Sequence, residues 1–367
     1  MYENLRFFAS DTDHYDFPAV SSVAHESREN GTTTESQTPH QGAFEKLKAR
    51  LDQLLPDNGF TAADLQECQR WAPSGLWRQI QLSLQRENVS FSDQDFLDER
   101  SRVHNLTDPQ IAVLMRAIAR FAVGEKVVED ELQPLIDFYR RGDPSDRWRA
   151  LFVMIQQAEE KIHAGFFGRY REIVFGVMDD REKDLRMGTL KERYLNTEDL
   201  YSRPFRRFFT TRLPDVLGRL HKAERSTFGT FREMAAIACY HVFAEGVVAE
   251  TAYFAFEKAL ATKDGDTLPT ILKGIRMIKG HESTHIAFGV LRLREMMEGS
   301  WLSRVVLKSV FLANCLMNVP SVIGIVGAVH REHPGSFPFP LNRLELAAEG
   351  LKQFKSRFWS VLSSRGS

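Results

Sequence analysis

The chain has 367 residues, 26% charged and 43% hydrophobic, which suits one large globular domain or two small ones and excludes a fibrous or wholly disordered protein. Its formal net charge of −1 gives no electrostatic case for nucleic acid or an anionic membrane as partner. Three scattered cysteines, Cys68, Cys239 and Cys315, exclude a disulfide framework and a thiolate metal cluster; with an N-terminus lacking a basic segment before an apolar run, they set the expectation of a cytoplasmic protein.

Residues 1–42 are rich in Ser, Thr, Glu, His and Gly and carry no periodic apolar face, so they read as disordered. Residues 43–100 read as short helices and loops packed on the main body. The first of these is the amphipathic "FEKLKARLDQLL", which stops at Pro56-Asp57-Asn58-Gly59. Residues 101–367 form the main body. Asp108-Pro109 and Asp143-Pro144 each read as an N-cap followed by proline. They open two long helices, one ending near Pro134 and one running from about Ser145 through Val174. A third covers 228–260, and a fourth begins near Pro269 and ends near Met297. No run of alternating strands is present, so the chain is expected to be all-α with a four-helix bundle core and additional helices. The uncharged stretch Ser309–Val329 approaches the length of a membrane span, but Asn314, Asn318 and Pro320 interrupt it; a buried helix beside an apolar cavity is expected instead.

Each long helix carries a glutamate into its apolar stripe. The stripes run Leu114, Ile118, Phe121, Glu125, Val128, Leu132; Phe152, Gln156, Glu160, His163, Phe167; Ala238, Val242, Glu245, Ala249, Ala252, Phe256; and Ile275, Ile278, Glu282, His285, Gly289. Two helices therefore add a histidine one turn after the glutamate, in "AEEKIHAGFF" and "GHESTHIAFG". Four carboxylates in a core would repel one another and take up protons unless cations compensate them. One Glu-x-x-His is a weak signal. Two of them with two further glutamates, in the order Glu, Glu-x-x-His, Glu, Glu-x-x-His, read as a dinuclear metal site. Four carboxylates and two imidazoles suit iron or manganese: zinc takes fewer ligands and calcium avoids imidazole. Glu129, Glu159 and Glu250 fit the stripes less well and read as neighbours of the site or as surface.

The segments "FAVGEKVVEDELQPL", "AEEKIHAGFF", "YHVFAEGVVAETAYF" and "GHESTHIAFG" together resemble the ligand-binding oxidases related to the ribonucleotide reductase small subunit. The resemblance covers about residues 72–345 and implies a ferritin-like bundle. It implies metal ligands Glu125, Glu160, His163, Glu245, Glu282 and His285 around a manganese–iron or di-iron centre. It also implies a long-chain fatty acid or similar amphiphile held over the metals, a two-electron oxidation with O2, and a homodimer. Tyr240 and Val128 would be the pair joined in that family's tyrosine–valine ether cross-link. Tyr240 lies five residues before Glu245, a separation that α-helical geometry alone does not bring to the metals. Lys126 and Glu129 depart from the family pattern beside the first glutamate. A ribonucleotide reductase small subunit is the first alternative, but Phe167 stands where radical-tyrosine versions keep a tyrosine. A non-catalytic metal or fatty-acid binding protein is the second.

Overall fold

The computed structural model describes residues 39–86, 89–176, 187–190, 192, 207–224, 226–262, 265–298, 304–317 and 339–363. The described elements are helical apart from a hairpin that pairs Ala261–Thr262 with Gly265–Asp266. Helix α1 (Pro39–Leu54) begins just inside the stretch whose composition reads as disordered; residues 1–38 lie outside the described residues. A turn with Asp57 and Gly59 at positive φ follows α1. Helices α2 (Ala62–Trp71), α3 (Ser74–Gln85) and α4 (Asp93–Val103) come next. Thr61 with Asp64, and Ser92 with Asp95, form capping boxes that satisfy the first free N–H groups of α2 and α4.

The bundle itself is built from long helices. Helix α5 (Asp108–Glu131) is followed by α6 (Gln133–Arg140), and α7 (Arg147–Arg169) continues into a π-helical turn at Tyr170–Val174. After α8 (Leu213–His221) comes a continuous helical run: α9 (Thr227–Ile237), a π-helical segment Ala238–Ala249, and α10 (Glu250–Leu260). Then follow α11 (Pro269–Met297), a helix α12 over 304–317, and α13 (Arg343–Leu362). The cap of α5 differs from the sequence reading: Thr107 precedes the helix, with Gln110 Oε1 accepting from its N–H at 3.0 Å, so Asp108 is already in the first turn. The Asp143 side chain does cap, accepting from Ser145 N–H at 2.9 Å.

Helix α5 packs chiefly on α7, and the π-helical segment chiefly on α11, while α7 also meets α11. A Cβ on Gly289 would lie 2.3 Å from that of His241, so this glycine sets how closely α11 approaches the π segment. The stripe positions of α5, α7 and α11 are buried as their periodicity requires, apart from the half-buried Phe121. Of the uncharged 309–329 stretch, residues 309–317 belong to α12, with Phe311 and Cys315 buried and Leu316 and Met317 exposed; 318–329 lie outside the described residues. No helix among the described residues is long and apolar enough to cross a membrane. All three cysteines are buried and unpaired.

Candidate metal centre

The two Glu-x-x-His motifs meet in the middle of the bundle. Glu160 and His163 on α7 and His285 on α11 are fully buried, and Glu282, Glu245 and Glu125 nearly so. Their atoms form two overlapping groups. In one, His163 Nδ1 lies 3.0 Å from Glu160 Oε2, 3.8 Å from Glu125 Oε2 and 3.9 Å from Glu282 Oε1. In the other, His285 Nδ1 lies 3.3 Å from Glu160 Oε1, 3.4 Å from Glu245 Oε1 and 3.5 Å from Glu282 Oε2. Each group could hold one metal ion, its ligand atoms all within 4.8 Å of one another. Glu160 and Glu282 belong to both groups and offer one oxygen to each, which is how a bridging carboxylate sits between two ions.

The fit to cations also shows in what is left over. Glu245 Oε2, Glu282 Oε2 and His285 Nδ1 are buried with no hydrogen-bond partner among the described residues. Stranded acceptors of this kind are destabilising and rare in native cores. A cation at the centre of each group would satisfy them.

The far nitrogen of each imidazole is fixed by a second partner. His285 Nε2–H donates to Glu159 at 2.7 Å, and His163 Nε2 lies 2.9 Å from Nδ1 of the buried His281. Both rings thus turn Nδ1 towards the carboxylates. Glu159 is consequently a buried neighbour of the site. Glu250 is buried too, whereas Glu129 is half-buried and pairs with Lys126 at 3.1 Å.

The π-helical segment resolves the position of Tyr240. Hydrogen bonds spanning five residues place residues five apart on one face. Tyr240 and Glu245 therefore both reach Gln156, whose amide Nε2 donates to the phenol oxygen at 3.0 Å and to Glu245 Oε1 at 2.8 Å. The phenol donates to Glu160 Oε1 at 2.9 Å. The α-helical stripe drawn through Ala238, Val242, Glu245 and Ala249 fails here for the same reason: one period does not describe this run, and residues 238–247 are buried on every face. Val128 is buried in the same apolar cluster as Tyr240. On another side of the site, Tyr253 donates to Glu282 Oε1 at 3.2 Å, and Phe121 stacks between Tyr253 and Phe167. The roles of Gln156, His281 and Tyr253 escape sequence reading. Gln156 does stand one turn before Glu160 on the traced stripe, and that is the available signal.

Without cations the charge is distributed by protons. Burial, reinforced by neighbouring carboxylates, pushes Glu125 well above the ordinary carboxylate range. Burial and the charge of Glu282 bring Glu245 up to about 8. Burial opposes ionisation of Glu160 as well, but the imidazoles of His163 and His285 outweigh it and hold Glu160 well below its usual value. Burial likewise opposes a charged His163, yet Glu160 and Glu125 raise it to about 10; His285 is also raised, by Glu159 and Glu160 foremost. Burial and the surrounding carboxylates keep the Tyr240 phenol protonated.

No family model matches the chain. Among solved structures it is similar to an R2-like ligand-binding oxidase with aerobically reconstituted Mn/Fe cofactor, at 18% identity and a TM-score of 0.59, covering 92% of this chain and 98% of that one. An R2-like ligand-binding oxidase with aerobically reconstituted metal cofactor after photoconversion gives 17% identity and a TM-score of 0.60 over 91% of this chain and 99% of that one. A single-substitution variant with anaerobically reconstituted Mn/Fe cofactor gives 18% and 0.59. The fold is that of the R2-like ligand-binding oxidases. At this identity the likeness speaks for the R2-like bundle alone, and the reading of the site stands on the residues of this chain.

Proposed function

We propose that the protein is an O2-dependent oxidase with a dinuclear centre of manganese and iron, or of two irons. Glu125 and His163 would serve one ion, Glu245 and His285 the other, and Glu160 and Glu282 both. The observation that carries this reading is the pair of buried groups sharing Glu160 and Glu282, with ligand atoms stranded in the absence of cations. Carboxylate-rich sites with two imidazoles favour these ions, and the similar structures are oxidases reconstituted with Mn/Fe. When bound, the two ions would supply electrons to O2 and draw them back from an organic group.

The chain's own residues have separate tasks. Glu159 and His281 hold the two imidazoles in place. Gln156 ties Tyr240 to Glu245, and burial of the cluster keeps bulk water away. Tyr240 and Val128 are the residues we assign to an ether cross-link. Joining Tyr240 Oη to Val128 Cβ removes the phenolic and the Cβ hydrogen, two electrons and two protons in all, with O2 as acceptor. Its support is the phenol on Glu160 and the burial of both residues in one apolar cluster. A long-chain fatty acid or similar amphiphile is the expected ligand, in keeping with the ligand-binding oxidases the fold resembles; a cytoplasmic homodimer is the expected form. The radical-tyrosine reading is disfavoured by Phe167, a buried ring stacked on Phe121 with no phenol to oxidise.

The test is anaerobic loading of the metal-free chain with Mn(II) and Fe(II), followed by O2 and absorption spectroscopy. An oxidase develops new visible absorption and consumes O2. Binding of both metals with no reaction would instead indicate a metal or fatty-acid binding protein.

A further inference from the structure

A second polar feature lies away from the metal ligands. Between α1, α3 and α7 is a cavity of about 340 Å³, within the size range of small-molecule sites. Its polar lining is Arg50 and Gln53 from α1, Ser83 and Arg86 from the end of α3, and Glu159 from α7. Arg50 and Gln53 are exposed and form the outer rim, whereas Ser83 and Glu159 are buried and lie deep.

Two donors in this lining are unsatisfied. Ser83 Oγ and Arg86 Nη1 are both buried without a hydrogen-bond partner among the described residues, and Ser83 is only 4% exposed. The Arg86 guanidinium is held in place by packing: its Cζ would lie 3.7 Å from a Cβ on Gly280, so the bare backbone of α11 makes room for it. Arg50 spends one N–H on Gln53 Oε1 at 3.2 Å. The carboxylate in the wall, Glu159, already accepts from His285 at 2.7 Å. The lining thus carries two guanidinium groups against one acid, Glu159, which attracts the Arg86 charge but spends its hydrogen bond on His285. An idle buried N–H on a guanidinium is costly, and the guanidinium fork matches the oxygens of a carboxylate or phosphate.

We infer that this cavity binds a small oxyanion, a carboxylate or phosphate group held by Arg86, Arg50 and Ser83, with a hydroxyl of the same ligand facing Glu159. The hydroxyl follows from the wall: beside an ionised carboxylate a donor is favoured and a second bare anionic oxygen is not. Glycolate and hydrogen phosphate both have this chemistry. The site does not require the metal reading, although through Glu159 its occupant would lie one residue from His285.

Isothermal titration of the full-length chain, metal-free and metal-loaded, with sodium glycolate and separately with sodium phosphate, tests it. The expected result is saturable one-to-one binding of at least one probe to both forms. Arg86→Gln should weaken that binding by roughly tenfold or more, and Arg50→Gln by less, since its charge is solvated. Ser83→Ala guards against misfolding of the arginine variants and should also weaken binding. Which probe binds identifies the headgroup as carboxylate or phosphate. Binding confined to the metal-loaded form and unchanged in Arg86→Gln and Ser83→Ala would place the anion on the metals and overturn the inference. No heat with either probe at millimolar concentration would overturn it as well.

Discussion

In the largely buried network of Tyr139, Glu233, Arg292, Glu295, Arg149 and Asp146, each acid faces a guanidinium; among the described residues none pairs with Glu160. Glu233 Oε1 accepts from Arg292 at 2.8 Å and from Tyr139 at 2.8 Å. Glu295 bridges Arg292 at 2.7 Å and Arg149 at 2.6 Å, and Arg149 pairs with Asp146. None of that network's carboxylate oxygens is stranded among the described residues. The central cluster gathers Glu125, Glu160, Glu245 and Glu282 with two imidazoles, has no lysine or arginine in an ion pair with these four among the described residues, and leaves two carboxylate oxygens unmatched. Both clusters are buried polar groups in one bundle. The first is neutralised by side chains and holds the fold together, while the second is arranged for charge that the chain does not itself carry.

Dismantling the centre should separate the two clusters most clearly. Glu160→Ala or His285→Ala should abolish stoichiometric metal binding, read as metals per chain after loading and desalting. Each change also removes a buried partner from the Glu160–His285 pair, so circular dichroism of the metal-free variants should accompany the metal count. Retention of two metals per chain in either variant would show that the assigned ligands are not the ligands. Glu233→Ala should do the opposite. It leaves Arg292 buried without its main partner and should lower unfolding stability by about 3–5 kcal/mol in denaturant titration, with metal content unchanged.

A smaller effect is expected from the residues that orient the imidazoles. Glu159→Gln and His281→Ala should each weaken metal affinity roughly 10–100-fold while preserving stoichiometry, as competition with a chelating dye would measure. The pH dependence sharpens the contrast further. In the metal-free cluster Glu245 titrates at about 8 and His163 at about 10, and Glu125, Glu282 and His285 are also raised. Glu245 and His163 hold protons at neutral pH and must release them to bind cations. Metal affinity should therefore rise with pH from the acid side through 8 and level off only near 10, with acid released on loading in weak buffer. A flat profile from pH 6 to 8 would count against this protonation pattern.

Much of this centre was legible in the residues, because buried glutamates on an apolar stripe have few physical explanations. The periodicity of α5, α7 and α11 brought Glu125, Glu160, His163, Glu282 and His285 to one place. It could not do so for the run through Tyr240 and Glu245. Hydrophobic periodicity assumes one helical pitch, and the π-helical segment changes that pitch where every face is buried. His281 stayed hidden because a histidine beside a ligand motif looks the same in sequence whether it meets another imidazole or solvent. Ser83 and Arg86 could not be linked to Glu159 at all, since their proximity exists only after α3 has packed on α7.

The central claim is that these carboxylates hold two metal ions. Diffraction from crystals of the loaded protein, recorded on both sides of the manganese and iron absorption edges, tests that claim most directly. Two anomalous peaks are predicted, one among Glu125, Glu160, His163 and Glu282, the other among Glu160, Glu245, Glu282 and His285. A single peak, or metal bound only outside these six residues, would contradict it.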